Sequence, residues 1–208
     1  MTKIYLIRHA QALGNQEQRF QGNTDRPLSP LGLEQLEYLA PRCRELGARV
    51  VYTSPLSRAR DTAQAVDRFL KVPVVVMDDL REIHCGDWEN QRFADIDRLW
   101  PEERRIWKEE PWNYCAPNGE SMRQVYDRAV GALRTLEDKH PGQCIAVVCH
   151  GCVLRTMFAF ARGGLEHFSD RDEWMYNASV SCIEMREGQG TLTLENGVEW
   201  LPERLRTI

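Results

Sequence analysis

The amino-acid sequence predicts an α/β fold in which helices pack in layers against a sheet. Short apolar segments alternate with longer segments of helical period along the whole chain. No internal repeat, low-complexity tract or Gly/Ser linker interrupts this alternation, and 208 residues suffice for one large core. We therefore expect a single domain over residues 1–208.

The first part of the chain predicts two strands, each followed by a helix. The first strand spans about residues 2–8, and a polar loop leads to Ser29-Pro30, a pair typical of a helix start. This helix is expected to end near Gly47. A second strand over residues 49–53 is followed by another such pair, Ser54-Pro55, which predicts the next helix.

The middle of the chain predicts a third strand, a loop and a small helical cap. The strand covers residues 72–77, and residues 80–89 have neither helix nor strand period, which is typical of a loop at the edge of a sheet. Residues 90–118 are helical in period but interrupted by prolines, so we expect two short helices that form a cap. A long helix then begins at Ser121 and runs to about His140.

The last part of the chain predicts a fourth strand, a helix and a hairpin. The strand covers residues 143–149, and the helix over residues 152–162 ends at two glycines. Residues 179–186 and 191–195 form the expected hairpin around Gly188 and Gly190. Asn196-Gly197 predicts a further turn.

Composition limits the class of protein and its partners. A net charge of −4 gives no overall attraction to nucleic acid or to anionic membranes, so we expect neither as a partner. No apolar run approaches the ~20 residues of a membrane-spanning helix. The seven cysteines are odd in number and lack the spacing of a disulfide scaffold, which favours reduced thiols and a cytoplasmic location.

Two histidines follow two of the predicted strands directly. Arg8 and His9 end the first strand, and His150 ends the fourth. The carboxyl ends of strands form the ligand-binding edge of open α/β sheets, and Arg58 lies in a first helical turn at the same edge. Several fixed cations that converge there favour a phosphate as the ligand, because the guanidinium fork matches phosphate oxygens.

The same residues suggest a reaction. A neutral imidazole is a nucleophile toward phosphorus, and neighbouring guanidinium groups should lower the pKa of His9 and keep its ring unprotonated. The leaving alkoxide needs a proton, which a carboxylic acid such as Glu82 in the loop after the third strand can supply. Glu89 in the same loop is a rival acid.

Four segments in order resemble the motifs of the histidine phosphatase superfamily, in its phosphoglycerate mutase-like branch. They cover residues 6–15, 53–63, 80–89 and 147–151, and the strand start at residues 177–179 also fits. The resemblance implies a three-layer α/β/α sandwich around a mostly parallel sheet, with a small helical cap. The sequence departs from the family pattern at Ala10, where glycine is usual, and at Gln11, where the mutases usually carry glutamate.

The resemblance also implies a role for individual residues. His9 would be the phosphorylated nucleophile and Glu82 the proton donor. The phosphate pocket would comprise Arg8, Arg58 and His150, with Asn15, Gln21 and Gly151 as further substrate-binding residues. The phosphatase members need no metal and no diffusible cofactor, so we expect none here.

The expected function is therefore metal-independent hydrolysis of a phosphomonoester through a phosphohistidine intermediate, with a small phosphorylated metabolite as substrate. Phosphoryl transfer of the phosphoglycerate mutase type is the alternative. The mutases carry a longer insertion after the acid loop, whose arginines bind a second phosphate. Arg104 and Arg105 fall in the cap, but neighbouring glutamates offset their charge, so hydrolysis is preferred.

Several questions stay open at this point. A non-catalytic binding module and a thiol redox protein based on Cys149 and Cys152 are alternatives of other classes. The substrate is open among α-ribazole phosphate, sugar phosphates, phosphoglycerates and a broad range. The aromatic residues of the cap either line the substrate pocket or pack the cap helices, and we favour packing. A homodimer through an edge strand near the C-terminus is also open.

Overall fold

The computed structural model describes residues 1–170 and 174–208, and its centre is a six-stranded sheet. The strands are β1 (Thr2–Arg8), β2 (Val51–Thr53), β3 (Val74–Val76), β4 (Cys144–Cys149), β5 (Val180–Arg186) and β6 (Gln189–Gly197). Their order in the sheet is β3-β2-β4-β1-β5-β6. The first four strands pair in parallel, and β5 is antiparallel to both of its neighbours. The expected mostly parallel sheet is confirmed.

Helices cover both faces of this sheet. They are α1 (Leu13–Gln16), α2 (Pro30–Cys43), α3 (Ser57–Leu70), α4 (Phe93–Leu99), α5 (Pro101–Glu109), α6 (Met122–Lys139) and α7 (Gly151–Arg162). Helices α2 and α3 pack together on one face, and α6 and α7 pack together on the other. The structure is therefore the three-layer sandwich that the resemblance implies.

Strand β1 shows how the sequence builds a core on both faces. Side chains alternate between the two faces of a strand. Ile4 and Leu6 join the core between the sheet and helices α6 and α7, while Ile7 joins the core under α2 and α3. All three are fully buried. A continuous apolar run is the expected sequence of a strand that is covered on both faces.

Most of the predicted helix ends are confirmed by their capping contacts. The Ser29 side chain accepts a hydrogen bond from the backbone N–H of Gly32 at the start of α2. The Ser121 side chain accepts one from Gln124 at the start of α6. Gly47 follows the helical segment with a φ of 64°, a conformation that glycine adopts without strain.

Two expectations near the beginning of the chain were wrong. Residues 13–16 form the short helix α1 where we predicted a loop. Helix α3 begins at Ser57, two residues beyond the end of the predicted Ser54-Pro55 pair. The Ser54 hydroxyl contacts the ring of His150 and accepts the N–H of Leu56, the residue before α3, so it does not cap the helix itself.

The C-terminal hairpin is confirmed, but its turn is shorter than predicted. Arg186 pairs with Gln189, so Glu187 and Gly188 alone form the turn, and both have positive φ. The predicted turn at Asn196-Gly197 was wrong, because these residues end β6. Asn196 has a φ of 54°, and its side chain accepts a hydrogen bond from the backbone of Tyr176, which holds this conformation beside an irregularity in the strand pairing.

The segment predicted as a cap contains the two expected helices, α4 and α5, and a short 3-10 turn at Pro111–Asn113. Pro101 begins α5, where a missing N–H costs nothing. Among the described residues, no helix has both the length and the hydropathy that crossing a bilayer would require.

Candidate active site

The carboxyl ends of β1 and β4 bring the two predicted histidines together. Arg8 pairs with Cys149 across these parallel strands, so the residue after each lies at the same edge. The ring centroids of His9 and His150 are 5.1 Å apart. Beside them lies a cavity of about 320 Å³, to which the loop after β3 and the N-terminus of α7 also contribute. The predicted convergence of strand ends is confirmed.

His9 is held as a neutral ring with one free nitrogen lone pair. Its Nδ1 lies 2.7 Å from the carbonyl oxygen of Ala10, which can only accept, so Nδ1 carries the proton and Nε2 does not. Burial lowers the pKa of His9 well below its usual value, and Arg58 and Arg8 lower it further. The sequence indicated only the arginines as the cause, whereas burial of the ring is the larger one.

Two buried arginines flank His9 and line the cavity. Arg58 donates to the carbonyl oxygens of Gly22, at 2.7 Å, and Thr24, at 3.0 Å, and Arg8 donates to that of Met175. The Nε atom of each arginine is buried and has no hydrogen-bond partner among the described residues. Buried donors are normally paired, so these two orphaned N–H groups are available to an anion. Burial lowers the pKa of Arg8 to about 10.

His150 is fully buried behind the cavity, and it is not itself among the cavity-lining residues. Its Nε2 lies 2.8 Å from the Ser54 hydroxyl, and its Nδ1 is a third buried atom without a partner in the described structure. Burial lowers the pKa of His150, and Arg58 and His9 add to this effect. Sequence reasoning missed Ser54, although its position directly after β2 was a usable signal, because β2 pairs with β4.

Glu82 lines the same cavity as His9 and is held by backbone donors. Its Oε1 accepts from the N–H of Ile83 at 2.9 Å, and its Oε2 accepts from that of Cys152 at 3.2 Å, in the first turn of α7. Arg128 on α6 donates to the carbonyl oxygen of Glu82 itself. A carboxyl group fixed beside the cavity is placed to exchange a proton with a bound leaving group.

Glu89, the rival acid, does not line the cavity and has a full set of partners. Its two oxygens accept from the backbone N–H groups of Asn23, Thr24 and Cys85 and from the Thr24 hydroxyl, all within 2.9 Å. These contacts tie the loop at residues 22–24 to the loop after β3. The geometry therefore favours Glu82 over Glu89 as the acid, and it gives Glu89 a role in holding the two loops.

The three other predicted substrate-binding residues all line the cavity. The Oδ1 of Asn15 accepts from the N–H of Ala12 and from the Gln21 side chain, and no hydrogen bond from its Nδ2 is found to the described residues. At Gly151, a Cβ atom would come within 3.2 Å of the Trp174 ring. Glycine therefore lets the aromatic wall approach the N-terminus of α7.

Aromatic side chains form part of the cavity wall. Phe20, Phe93, Trp107 and Trp174 all line it, and the rings of Trp107 and Trp174 stack at an interplanar angle of 15°. Trp88, by contrast, is fully buried in the core. Some of the aromatic residues therefore line the cavity, and others pack in the core. Sequence reasoning missed Phe20 and Trp174, which lie outside the cap segment.

The cysteines do not resemble a redox centre. All seven are free thiols. Cys149 and Cys152 are buried, and burial raises the pKa of both thiols well above the usual range, which leaves almost no reactive thiolate. Within residues 1–170 and 174–208, no three His, Cys, Asp or Glu side chains group together in a way that fits a metal ion.

Known proteins match this chain over nearly its whole length. Phosphoserine phosphatase 1 of Hydrogenobacter thermophilus is 33% identical over 196 residues, which cover 92% of this chain and 90% of that protein. The probable phosphoglycerate mutase GpmB of Escherichia coli is 31% identical over 98% of this chain and 92% of its own length. The structure of Bacillus stearothermophilus YhfR superposes with a TM-score of 0.90 at 32% identity, covering 96% of this chain and 99% of that one.

The family comparison agrees with the geometry. The model of the histidine phosphatase superfamily, branch 1, matches residues 4–197, a span that includes every predicted site residue. A neutral histidine with two arginines beside it is the arrangement that phosphoryl transfer through a phosphohistidine requires. The chain belongs to branch 1 of the histidine phosphatase superfamily, whose phosphatases work through a phosphohistidine.

Proposed function

We propose that His9 is the nucleophile with which this phosphatase hydrolyses small phosphomonoesters, without a metal ion. The observation that carries the proposal is that the site combines a neutral His9 with buried polar atoms that have no partner among the described residues. A neutral His9 presents an unprotonated Nε2, and three buried atoms around it, on Arg8, Arg58 and His150, have no hydrogen-bond partner in the described structure. An incoming phosphoryl group supplies the missing acceptors.

The first half-reaction transfers the phosphoryl group to the enzyme. The Nε2 lone pair of His9 forms a bond to phosphorus as the bond to the leaving oxygen breaks. The leaving oxygen keeps the bonding electron pair and takes a proton from the Glu82 carboxylic acid. Arg8 and Arg58 stabilise the charge on the phosphoryl oxygens throughout.

The second half-reaction restores the enzyme. The Glu82 carboxylate takes a proton from a water molecule as the water oxygen bonds to phosphorus. The bond between phosphorus and His9 Nε2 breaks, and its electron pair returns to the ring. Inorganic phosphate leaves, and Glu82 is again a carboxylic acid.

The test follows the adduct on the enzyme. Rapid acid-free quenching during turnover should trap a phosphoryl group that acid removes and base does not, and His9→Ala should abolish both adduct and turnover. His84→Ala is the control, because that histidine is exposed outside the cavity. A chelator should leave the rate unchanged. Full activity of His9→Ala would overturn the proposal.

Hydrolysis is favoured over mutase-type transfer by the state of the cap arginines. Arg104 reaches the cavity wall, but its Nε is 3.0 Å from Asp97, and Arg105 pairs with Glu102 and Glu109. A second phosphate on the substrate would have to compete with these carboxylates. With a phosphoglycerate as substrate, ³¹P NMR should therefore show release of inorganic phosphate and not formation of the isomer.

The substrate class is proposed from the aromatic wall. Phe20, Phe93, Trp107 and Trp174 bind flat or apolar groups better than small polar ones. We expect phosphomonoesters with a ring in the leaving group to exceed phosphoserine and phosphoglycerates in kcat/KM. A panel of metabolite phosphates measures this ranking, and a flat ranking would indicate a generalist.

A small phosphorylated metabolite is the partner that fits a cavity of about 320 Å³. All seven cysteines are free, which agrees with a reducing compartment. The cytoplasmic location and the homodimer stay predictions.

A further inference from the structure

Ser54 and His150 form a buried pair whose hydrogen-bonding pattern can be worked out atom by atom. Both side chains are fully buried, and Ser54 Oγ is 2.8 Å from His150 Nε2. The same Oγ accepts the backbone N–H of Leu56 at 3.3 Å. A serine hydroxyl has one hydrogen, and a neutral imidazole has one N–H. The question is which of the two groups donates in their contact.

The hydroxyl is the donor. If Nε2–H donated to Ser54, the hydroxyl hydrogen would be buried with no acceptor, because Leu56 and His150 are its only partners among the described residues. If Ser54 donates to Nε2, its hydrogen is satisfied, and the single proton of the ring lies on Nδ1. Nδ1 is the ring atom that is buried without a partner among the described residues, and the centroid of the His9 ring lies 5.1 Å from that of the His150 ring.

We propose that Ser54 is a positioning residue that fixes His150 as its Nδ1–H tautomer, so that this ring donates a hydrogen bond to the phosphoryl group on its way to His9. The inference rests on the proposed function and deepens it. In this tautomer the ring presents a donor to the anion without adding a further buried charge beside Arg8 and Arg58. In the other tautomer a lone pair would face the phosphoryl oxygens and repel them.

The first test reads the tautomer in the resting enzyme and needs no turnover. Long-range ¹H–¹⁵N NMR of ¹⁵N-histidine-labelled protein distinguishes a protonated ring nitrogen from one with a lone pair, and loss of signals in His150→Gln assigns the ring. We expect Nδ1 to be protonated and Nε2 to be the acceptor. Protonation of Nε2 in the wild-type protein would overturn the proposal even if the enzyme is an active phosphatase.

The second test removes the hydroxyl. Ser54→Ala should populate both tautomers of His150 and lower kcat by about tenfold. Complete loss of one transition-state donor costs about 10²-fold or more, and in this variant only a fraction of the molecules hold His150 in the tautomer that cannot donate. Ser54→Thr keeps a hydroxyl and should restore the Nδ1–H tautomer. Ser181→Ala is the matched control, because Ser181 is also a buried serine that accepts one backbone N–H, and it is not among the residues that line the cavity.

The outcomes separate the possible roles of Ser54. A purely structural role would lower stability in Ser54→Ala and Ser181→Ala alike and leave the His150 tautomer unchanged. An unchanged tautomer in Ser54→Ala would therefore overturn the inference whatever the rate. If Ser54→Ala fails to fold, the wild-type spectrum and Ser54→Thr still decide the matter. Failure of the proposed function would appear differently, as a missing adduct on His9.

Discussion

At the scale of single residues, the site depends on which atoms are left without partners. Arg8 and Arg58 donate from terminal nitrogens to carbonyl oxygens of the protein, and the Nε of each has no partner within residues 1–170 and 174–208. The carbonyl contacts fix each guanidinium plane, so little side-chain entropy is lost when the anion binds. The two arginines are thus preorganised for a phosphoryl group and poorly satisfied without one.

Replacement of Glu82 tests the role of the acid. In Glu82→Gln the leaving oxygen receives no proton, so we expect kcat/KM for alkyl phosphates to fall by about 10²–10⁴-fold. The loss should be much smaller for para-nitrophenyl phosphate, whose leaving group is stable as an anion. Glu89→Gln serves as the comparison, because Glu89 holds loops and should lower both rates by a similar factor. Equal losses for both substrates in Glu82→Gln would contradict the assignment.

The two buried histidines should make stability depend on pH. The folded-state pKa of both rings is lowered, so below about pH 6.5 the unfolded chain binds more protons than the folded one. The free energy of unfolding should therefore fall as the pH drops from 7 toward 5, by up to about 1.4 kcal/mol per pH unit for each ring.

Urea unfolding at several pH values measures this slope. His9→Asn removes one of the two rings and should halve the slope between pH 6.5 and 5. Ion-paired carboxylates with lowered pKa values, such as Glu120, contribute only near and below their unfolded pKa of about 4.3, outside this window. A flat stability curve between pH 7 and 5 would show that the rings titrate normally.

At the scale of elements, helix α6 holds the loop that carries Glu82, the proposed acid. Arg128 on α6 donates to the carbonyl oxygens of Asp79, Arg81 and Glu82 and pairs with Glu120. Asp79 lies in a 3-10 turn at Asp78–Leu80, and Arg81 and Glu82 follow it, so this one side chain satisfies several carbonyl acceptors of the loop. The position of Glu82 therefore depends on a residue 46 positions away in the sequence.

Removal of this contact should loosen the acid loop. Arg128→Ala leaves three carbonyl groups and one carboxylate without a charged donor, so we expect a loss of about 2–3 kcal/mol in the free energy of unfolding. We also expect kcat to fall about tenfold, since small displacements of a catalytic group are costly. Arg123→Ala on the same helix is the control, because that arginine is exposed. Unchanged kcat in Arg128→Ala would separate the loop contact from catalysis.

Elements differ in how far the sequence predicts them. The starts of α2 and α6 were predictable because Ser29 and Ser121 cap locally, within three residues. The start of α3 was not, because α3 begins after Leu56, and the Ser54 side chain is oriented toward His150, which is 96 residues away. The predicted turn at Asn196-Gly197 failed for the same kind of reason, since the side chain and backbone of Asn196 bond to Tyr176 and Ser181. The sequence rules for helix caps and turns therefore predict an element correctly when the hydrogen-bond partner of the side chain lies within a few residues.

At the scale of the whole molecule, the parallel topology assembles the site from distant segments. His9 and His150 directly follow β1 and β4, and Arg58 and Glu82 lie in the segments after β2 and β3, so the parallel order of strands predicts that all four lie at one edge of the sheet. What the order cannot predict is the supporting contacts, such as Ser54, Arg128 and the aromatic wall. These contacts depend on how side chains of different elements pack together, which the periodicity of apolar residues in the sequence does not show.

The whole molecule should also be stabilised by an anion despite its net charge of −4. Inorganic phosphate that binds the cations beside His9 stabilises only the folded state, by about 2.7 kcal/mol at 100 times its dissociation constant. We expect Tm to rise with phosphate concentration and to respond far less in Arg58→Gln. Sodium chloride at equal ionic strength is the control, and an equal rise with chloride would mean that the effect is general screening.

The hydrogen bond between His9 and the Ala10 carbonyl has a consequence for how the protein tolerates change. The acceptor belongs to the main chain, and every amino acid supplies the same carbonyl at that position. Exchange of the side chain at residue 10 leaves the acceptor in place. The proposed reactive form of His9 therefore does not depend on which side chain stands at position 10, whereas the proposed tautomer of His150 depends on the Ser54 hydroxyl.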